Sequence, residues 1–329
     1  LPSPDSQGSF KKLSSTMPKK KLLLLSILLS LLVLVRSEPL NAQDRYTETI
    51  TTESGDEISF DMVLIPAASF QMGSPPQEEG RNEDEGPQFT VQLSSYYLAT
   101  KETTLDLFLA YYRETHAPAQ DYFPGVPEEV DAITGPTPVY GDITMGRGGD
   151  NPAIGMTWKN AVSFCKWLSR KTGREYRLPT EAEWENACRC GTDQVFGFGN
   201  DPAQLSTYAW FDLGPSTGTH EVGTKKPNAL GLFDMHGNVG EWVHDFYAPD
   251  SYVEMAQLNP AQNPTGPKTG KVQVARGGNF RSPSKALRCA SRDYEKRWWR
   301  SGDPQLPKSQ WWLPDMDHIG FRVARTAAQ

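Results

Sequence analysis

Histidine and cysteine are scarce in this chain, five and four among 329 residues, which limits the metal chemistry it can support. Cys188-Arg189-Cys190 has too short a spacer for the usual two-residue zinc hook, and no second cysteine pair accompanies it. His236, His244 and Asp245 fit no zinc spacing and read as packed or surface groups. Positive charge is not in excess either. The formal net charge of −7 argues against a nucleic-acid binder, whose footprint is a basic face. No glycine-rich loop follows a strand and opens a helix, so nucleotide binding has no support. No segment repeats at a fixed period. A bilayer-spanning run is missing as well: residues 22–35 are apolar but broken at Ser26 and Ser30, short of the roughly 18–20 residues a spanning helix needs.

That short run has another reading. Lys19-Lys20-Lys21 precedes it and small residues follow it, the pattern of a secretory signal peptide. Residues 17–42 are assigned to it, with cleavage after Ser37 or Ala42. Met17 directly precedes the basic stretch and is read as the start, leaving residues 1–16 as an artefact of gene start. The expected location is secreted or periplasmic, with no membrane span after signal cleavage. Export makes disulfides possible. Cys165, Cys188, Cys190 and Cys289 allow three full pairings, and spacing alone cannot choose one. Nine Trp, twelve Tyr, 28 Gly and 26 Pro describe a loop-rich globular domain with aromatic packing rather than a disordered chain.

Along the mature chain, residues 43–57 are polar and read as a linker. Strands are expected at residues 62–66, 69–72 and 89–93, where β-branched and apolar residues are bounded by Gly and Pro. The acidic stretch 78–85 between them reads as a solvated loop. Residues 105–114 predict a short helix, and the Pro- and Gly-rich stretch 117–150 an irregular excursion. After Thr157, the spacing of Trp158, Ala161, Val162, Cys165 and Leu168 marks one face of a helix that Gly173 stops. A second helix opens at Thr180, with Glu183 three residues on, a capping box. From Phe196 onward no long periodic segment occurs. Gly214-Pro215-Ser216-Thr217-Gly218 matches the G-x-S-x-G pattern, but Pro215 and polar flanks make a loop of what must be a strand-to-helix elbow.

Three segments are specific as a set. They are Arg177-Leu178-Pro179-Thr180-Glu181-Ala182-Glu183-Trp184-Glu185, the run from Asn228 through Gly237-Asn238-Val239-Gly240-Glu241-Trp242, and Arg276-Gly277-Gly278-Asn279-Phe280 with Gly320-Phe321-Arg322-Val323 closing the chain. In this order the chain closely resembles the formylglycine-generating enzyme (sulfatase-modifying factor) family. Residues 62–74 and Thr100-Lys101-Glu102-Thr103-Thr104 fit the family's start. The resemblance covers about residues 58–326 and implies one domain at 58–329. It also implies an irregular, loop-rich α+β fold related to C-type lectin-like domains.

The resemblance implies a chemistry as well: two nearby cysteines in a cleft bind copper and activate oxygen to oxidise a cysteine of a nascent sulfatase. Thiolates are the ligands, so a hydroxyl is no substitute. Here Asn279 stands at the family's serine and Ser282 at its first cysteine, while residues 283–287 form a shortened segment with no thiol. Gly240 replaces a cleft tryptophan, His318 stands where asparagine is usual, and Arg292, a substrate-cleft position, is kept. The expectation is an exported family member without the oxidising centre and without copper, acting through its cleft on an unidentified peptide, protein or glycan. The alternative is a copper-dependent protein-cysteine oxidase that activates sulfatases. The family's sulfoxide synthases carry an iron-binding helical domain, for which this chain has no histidine cluster.

By the same resemblance a disulfide joins Cys188 to Cys289, and Cys165 is a free core thiol. One structural Ca²⁺ is expected on the side chains of Asp234 and Glu241 and the carbonyls of Gly237 and Val239. A second family site has no match in residues 208–214. The insertion 293–319 is longer than the family pattern and carries Trp298, Trp299, Trp311 and Trp312 among Arg297, Arg300 and Lys308. Exposed Trp and Arg are typical anchors, so this loop is expected to wall the cleft and hold a ligand. In the opposing reading the rings pack over the vacated site.

Overall fold

The first strand of the chain lies where the sequence reads as a linker. In the computed structural model, which describes residues 44–115, 149–214, 217–303 and 306–327, β1 (Arg45–Thr51) pairs antiparallel with β2 (Glu57–Ile65) from Arg45↔Val63 to Thr51↔Glu57. Polar composition hid a period of two: Glu48 and Ile50 are buried and Tyr46 packs on the core, while Thr47, Thr49 and Thr51 alternate outward. A tight turn closes the hairpin, with the Thr52 N–H donating to the Asp56 carbonyl (2.8 Å) and Gly55 at φ +88°. The linker assignment is therefore corrected. The signal segment, the excursion at 117–148 and residues 215 and 216 of the G-x-S-x-G match lie outside the described residues. The described ones fall in a compact unit at 42–329.

The remaining elements are β3 (Ala68–Met72), β4 (Phe89–Leu93), β5 (Tyr96–Ala99), α1 (Leu105–Thr115), α2 (Trp158–Thr172), β6 (Tyr176–Arg177), α3 (Glu181–Arg189) and α4 (Leu205–Tyr208). They continue with β7 (Gly240–Phe246), α5 (Ser251–Met255), β8 (Ala261–Gln262), β9 (Gln273–Arg276), β10 (Asp293–Tyr294), β11 (Ile319–Gly320) and β12 (Ala324–Thr326). The sheets run β1-β2-β5-β12-β6, β10-β9-β7-β11 and β3-β4-β8. The last strand is thus inserted between β5 and β6, in the sheet that β1 begins. This is the irregular α+β arrangement expected. Among the described residues no helix is long and apolar enough to cross a membrane.

Both central helices begin and end where local chemistry requires. At α2 the Asn160 N–H donates to Thr157 Oγ1 (3.2 Å), and Gly173 takes the left-handed stop at φ 69°. Its face of Ala161, Phe164, Cys165 and Leu168 is buried against Phe108 and Tyr111 of α1. At α3 the capping box closes both ways: Glu183 N–H to Thr180 Oγ1 (3.1 Å) and Thr180 N–H to Glu183 Oε2 (2.8 Å). Every residue of α3 is buried, including Glu181, Glu183, Glu185 and Arg189. A helix buried on all sides with four charged residues must find counter-ions, and these organise the site described next.

The acidic stretch is solvated only in part, with Glu79 and Glu83 exposed as expected. Glu85 is fully buried and accepts from both terminal nitrogens of Arg288 (2.7 and 2.6 Å), which also reaches Glu78 (2.7 Å). The guanidinium comes from about two hundred residues away, so nothing local announced it. Cys188 and Cys289 form the expected disulfide, with Cα atoms 5.7 Å apart. Cys165 is a free thiol in the core, its pKa raised by burial.

Candidate ligand-binding cleft

The site is built on the charges of α3. Glu185 accepts from Arg276 at the end of β9 (2.6 Å) and from Arg189 (2.9 Å). Glu181 accepts from Arg292 (2.7 and 3.1 Å) and, at 3.3 Å, from Arg276. Asp245 of β7 caps the start of α3 by accepting the Glu181 N–H (2.8 Å). Burial, with the Glu181 charge beside it, raises the Asp245 pKa well above the usual carboxylate range. The Arg276 guanidinium also donates to the carbonyls of Cys289 (2.7 Å) and Ala290 (3.1 Å), so the disulfide loop is tied to the same floor.

Above this floor β9 turns through Gly277 and Gly278, at φ +92° and +67°. A Cβ on Gly278 would lie 2.6 Å from Leu287 Cδ2 and 3.0 Å from the Ala286 carbonyl, so only glycine lets these strands of loop meet. A tight turn follows. The Asn279 N–H donates to Ser282 Oγ (3.0 Å), the Ser282 N–H to the Asn279 carbonyl (2.9 Å), and the Arg281 N–H to Asn279 Oδ1 (2.9 Å). Opposite stand Gly80 and Asn82 of the acidic loop, held in place by Arg288. Between them is a cleft of ≈ 200 Å³ whose lining also includes Lys285, Ser291, Arg292, Asp293 and Lys296.

Of the five expected cleft positions, Ser282 and Arg292 line this space together, whereas Gly240, Asn279 and His318 do not. Asn279 shapes the turn. The Gly240 N–H donates to the His318 carbonyl (2.9 Å), and a Cβ at Gly240 would lie 3.2 Å from Ile319 Cδ1. His318 Nδ1 contacts Asp317 Oδ1 (3.2 Å), and Arg281 forms a two-pronged ion pair with the same carboxylate. Burial works against the Asp317 charge, but hydrogen bonds from His318 and Arg281 prevail and hold its carboxyl below the usual range. Arg292 is a floor residue, buried and engaged by Glu181, the Asp84 carbonyl and Ser251.

The four tryptophans divide, correcting the expectation that all wall the cleft as anchors. Trp299, Trp311 and Trp312 belong to the core, while Trp298 alone is exposed, at 54%. The Trp311 carbonyl accepts from the Thr157 N–H (2.9 Å) and from Asn160 Nδ2 (3.1 Å), satisfying donors at the start of α2. Trp312 meets Phe108 edge-on, and Trp299 packs on Trp242 with centroids 5.5 Å apart. The rings of the insertion find partners on α1 and β7, and its backbone carbonyls on α2 and β7, which draws it into the core.

The residues named for calcium are close in sequence but already differently employed. Both Glu241 oxygens accept from Arg322 (2.6 and 2.7 Å), and one also from Trp184 Nε1 (2.9 Å). Asp234 Oδ2 accepts the Gly223 N–H (2.7 Å), while its Oδ1 is buried with no hydrogen-bond partner among the described residues. Burial pushes the Asp234 carboxyl up to about 6. His236, His244 and Asp245 do not assemble: both His236 nitrogens are taken, Nε2 by the Gly197 N–H (3.0 Å) and Nδ1 by the Leu287 carbonyl (2.8 Å). The one close His/Cys group among the described residues, Cys188–His236–Cys289, contains the disulfide itself.

Sequence reasoning missed Lys285, Ser291 and Lys296 as lining residues. Lys285 sits in the segment noted only for its missing thiol, and its charge was the available signal. The family model of the sulfatase-modifying factor enzyme 1-like domain matches residues 49–327. The chain is 31% identical over 270 residues to the formylglycine-generating enzyme of Thermomonospora curvata, covering 70% of this chain and 86% of that protein. It is 32% identical over 250 residues to the serine/threonine-protein kinase pkn1 of Chlamydia pneumoniae, covering 75% of this chain but 38% of the kinase. Its fold matches that of PvdO from Pseudomonas aeruginosa with TM-score 0.63 and 27% identity, over 88% of this chain and 100% of that one.

Proposed function

The chain belongs to the sulfatase-modifying factor (formylglycine-generating enzyme) family, and from that premise we propose that it is a binding member which does not convert cysteine to formylglycine. The observation that carries this is the cleft lining, which contains Ser282 and no cysteine. A copper centre of this type needs two soft thiolates. Cys188 and Cys289 are joined to each other, and Cys165 is buried in the core. Cys190 ends α3 in the left-handed region, its thiol donating to the Ala187 and Cys188 carbonyls and its pKa pushed up to about 11 by burial. The residues present do not fit copper.

The same reading makes the protein secreted or periplasmic, which the disulfide supports, and leaves its partner as a peptide, protein or glycan. A structural calcium belongs to the proposal through Asp234, whose unpartnered buried oxygen is a hard donor of the right kind. The carbonyls of Gly237 and Val239 would complete that side, and Glu241 would join only by sharing its Arg322 pair. The melting temperature should then rise in calcium relative to chelator, and equal values would remove the ion. The oxidase alternative, with a sulfatase as partner, is tested directly. Purified protein is given copper, oxygen and a Cys-x-Pro-x-Arg peptide, and the product is read by mass. No aldehyde above the enzyme-free control is expected, and conversion would overturn the reading.

A further inference from the structure

The cleft has the opposite sign to the protein that contains it. The chain carries a net charge of −7, yet the lining residues include Lys285 and Lys296, with the buried Arg276 and Arg292, against Asp293 alone. Glu181 and Glu185 beneath are shared among Arg276, Arg292 and Arg189, so they do not reverse the balance. Lys296 pairs with Asp293 (2.5 Å). Lys285 is exposed at the rim and makes no ion pair among the described residues.

The hydrogen-bonding capacity is equally one-sided. Ser282 Oγ already accepts the Asn279 N–H, which leaves its O–H to donate outward. The buried Ser291 hydroxyl lines the same space. Arg276 is 1% exposed and, among the described residues, its Nε–H has no hydrogen-bond partner, an orphan donor buried beneath the cleft that costs stability. The cleft thus offers hydroxyl and ammonium donors, with Asn82 and Asp293 as its side-chain amide and carboxylate acceptors, and Asp293 Oδ1 is already engaged by Lys296.

We propose that this cleft binds a tetrahedral oxyanion, sulfate or phosphate, free or as the monoester of an alcohol, through Lys285, Lys296, Ser282 and Ser291. The inference rests on the reading of the cleft as a binding site and names the chemistry of its ligand. A three-oxygen head accepts from more of these donors than a planar carboxylate can. A lysine pair suits it as point charges that need no planar fork.

The test is calorimetric titration of the full chain at matched ionic strength. The probes are inorganic sulfate, inorganic phosphate, glucose 6-sulfate, glucose 6-phosphate, and glucose as the neutral control. Saturable binding of oxyanions but not of glucose is expected. Tighter binding of the esters assigns the ligand to an ester, and the reverse order assigns it to the free ion. Lys285→Ala should weaken binding by about tenfold, a typical loss for one charge-assisted hydrogen bond, and Lys285→Glu should weaken it further. Lys268→Ala, at an exposed position outside the cleft, should leave it unchanged. Absence of saturable binding overturns the inference, and so does binding that survives Lys285→Glu and Lys296→Ala. Run beside the peptide-oxidation assay, failure of anion binding without aldehyde formation removes this inference alone. Aldehyde formation removes the parent reading.

Discussion

Trp299 decides between two accounts of the insertion, and replacing it by alanine separates them in one measurement. Its ring is 2% exposed, lies against Trp242 and meets His318 edge-on. A buried tryptophan removes about 150–250 Å² from water, which at about 25 cal/mol per Å² is worth roughly 4–6 kcal/mol. Against this stands the Trp299 Nε1–H, buried without an acceptor among the described residues, a penalty of about 1–3 kcal/mol that truncation relieves. The expected net loss for Trp299→Ala is therefore about 1–5 kcal/mol, with a midpoint of about 3 kcal/mol that falls in the range for large-to-small core changes. Trp299→Phe keeps most of the apolar contact and deletes the orphan donor, so it should lose much less. Trp298→Ala, at a position 54% exposed, should change stability by about 0.5 kcal/mol or less. Urea denaturation followed by far-ultraviolet circular dichroism reads all three. If Trp299→Ala costs less than about 1 kcal/mol, or no more than Trp298→Ala, the ring is not a core member and the packing argument fails.

The disulfide closes a loop of 101 residues. Replacing Cys188 and Cys289 by serine should lower stability by about 4–5 kcal/mol, and an unchanged calorimetric transition after verified reduction would refute it. His236 is buried and its pKa is lowered to about 4 by burial. Below the unfolded value near 6.5 the unfolded chain takes up a proton that the folded chain refuses. Stability from this group is therefore complete above about pH 6.5 and falls as pH drops, by about 3 kcal/mol near pH 4. Asp234, raised to about 6, has the opposite sign: its contribution is present at low pH and is lost as pH rises through 6. The His236 share is the difference between the chain and its His236→Gln variant across pH 4–7, and parallel curves would contradict it.

What could be read in the sequence is what short-range physics decides. Thr157 with Gly173, and Thr180 with Glu183, bound their helices because a cap and its N–H groups lie within one turn. Gly277-Gly278 was recognisable within a motif, although the reason for glycine, the approach of Leu287 and Ala286, was not. β1 was misread because its alternation runs through three threonines and a glutamate, and polarity masked the period. The acidic loop, the aromatic insertion and the cleft were settled only by tertiary contacts. Glu85 is buried because Arg288 arrives from a distant segment, and Trp311 is core because its carbonyl answers the open donors of α2. Arg292 became floor rather than wall because Glu181, on a helix buried all round, needed a counter-ion. A residue's type and neighbours state what partners it requires, and only the folded chain determines which residues meet those requirements.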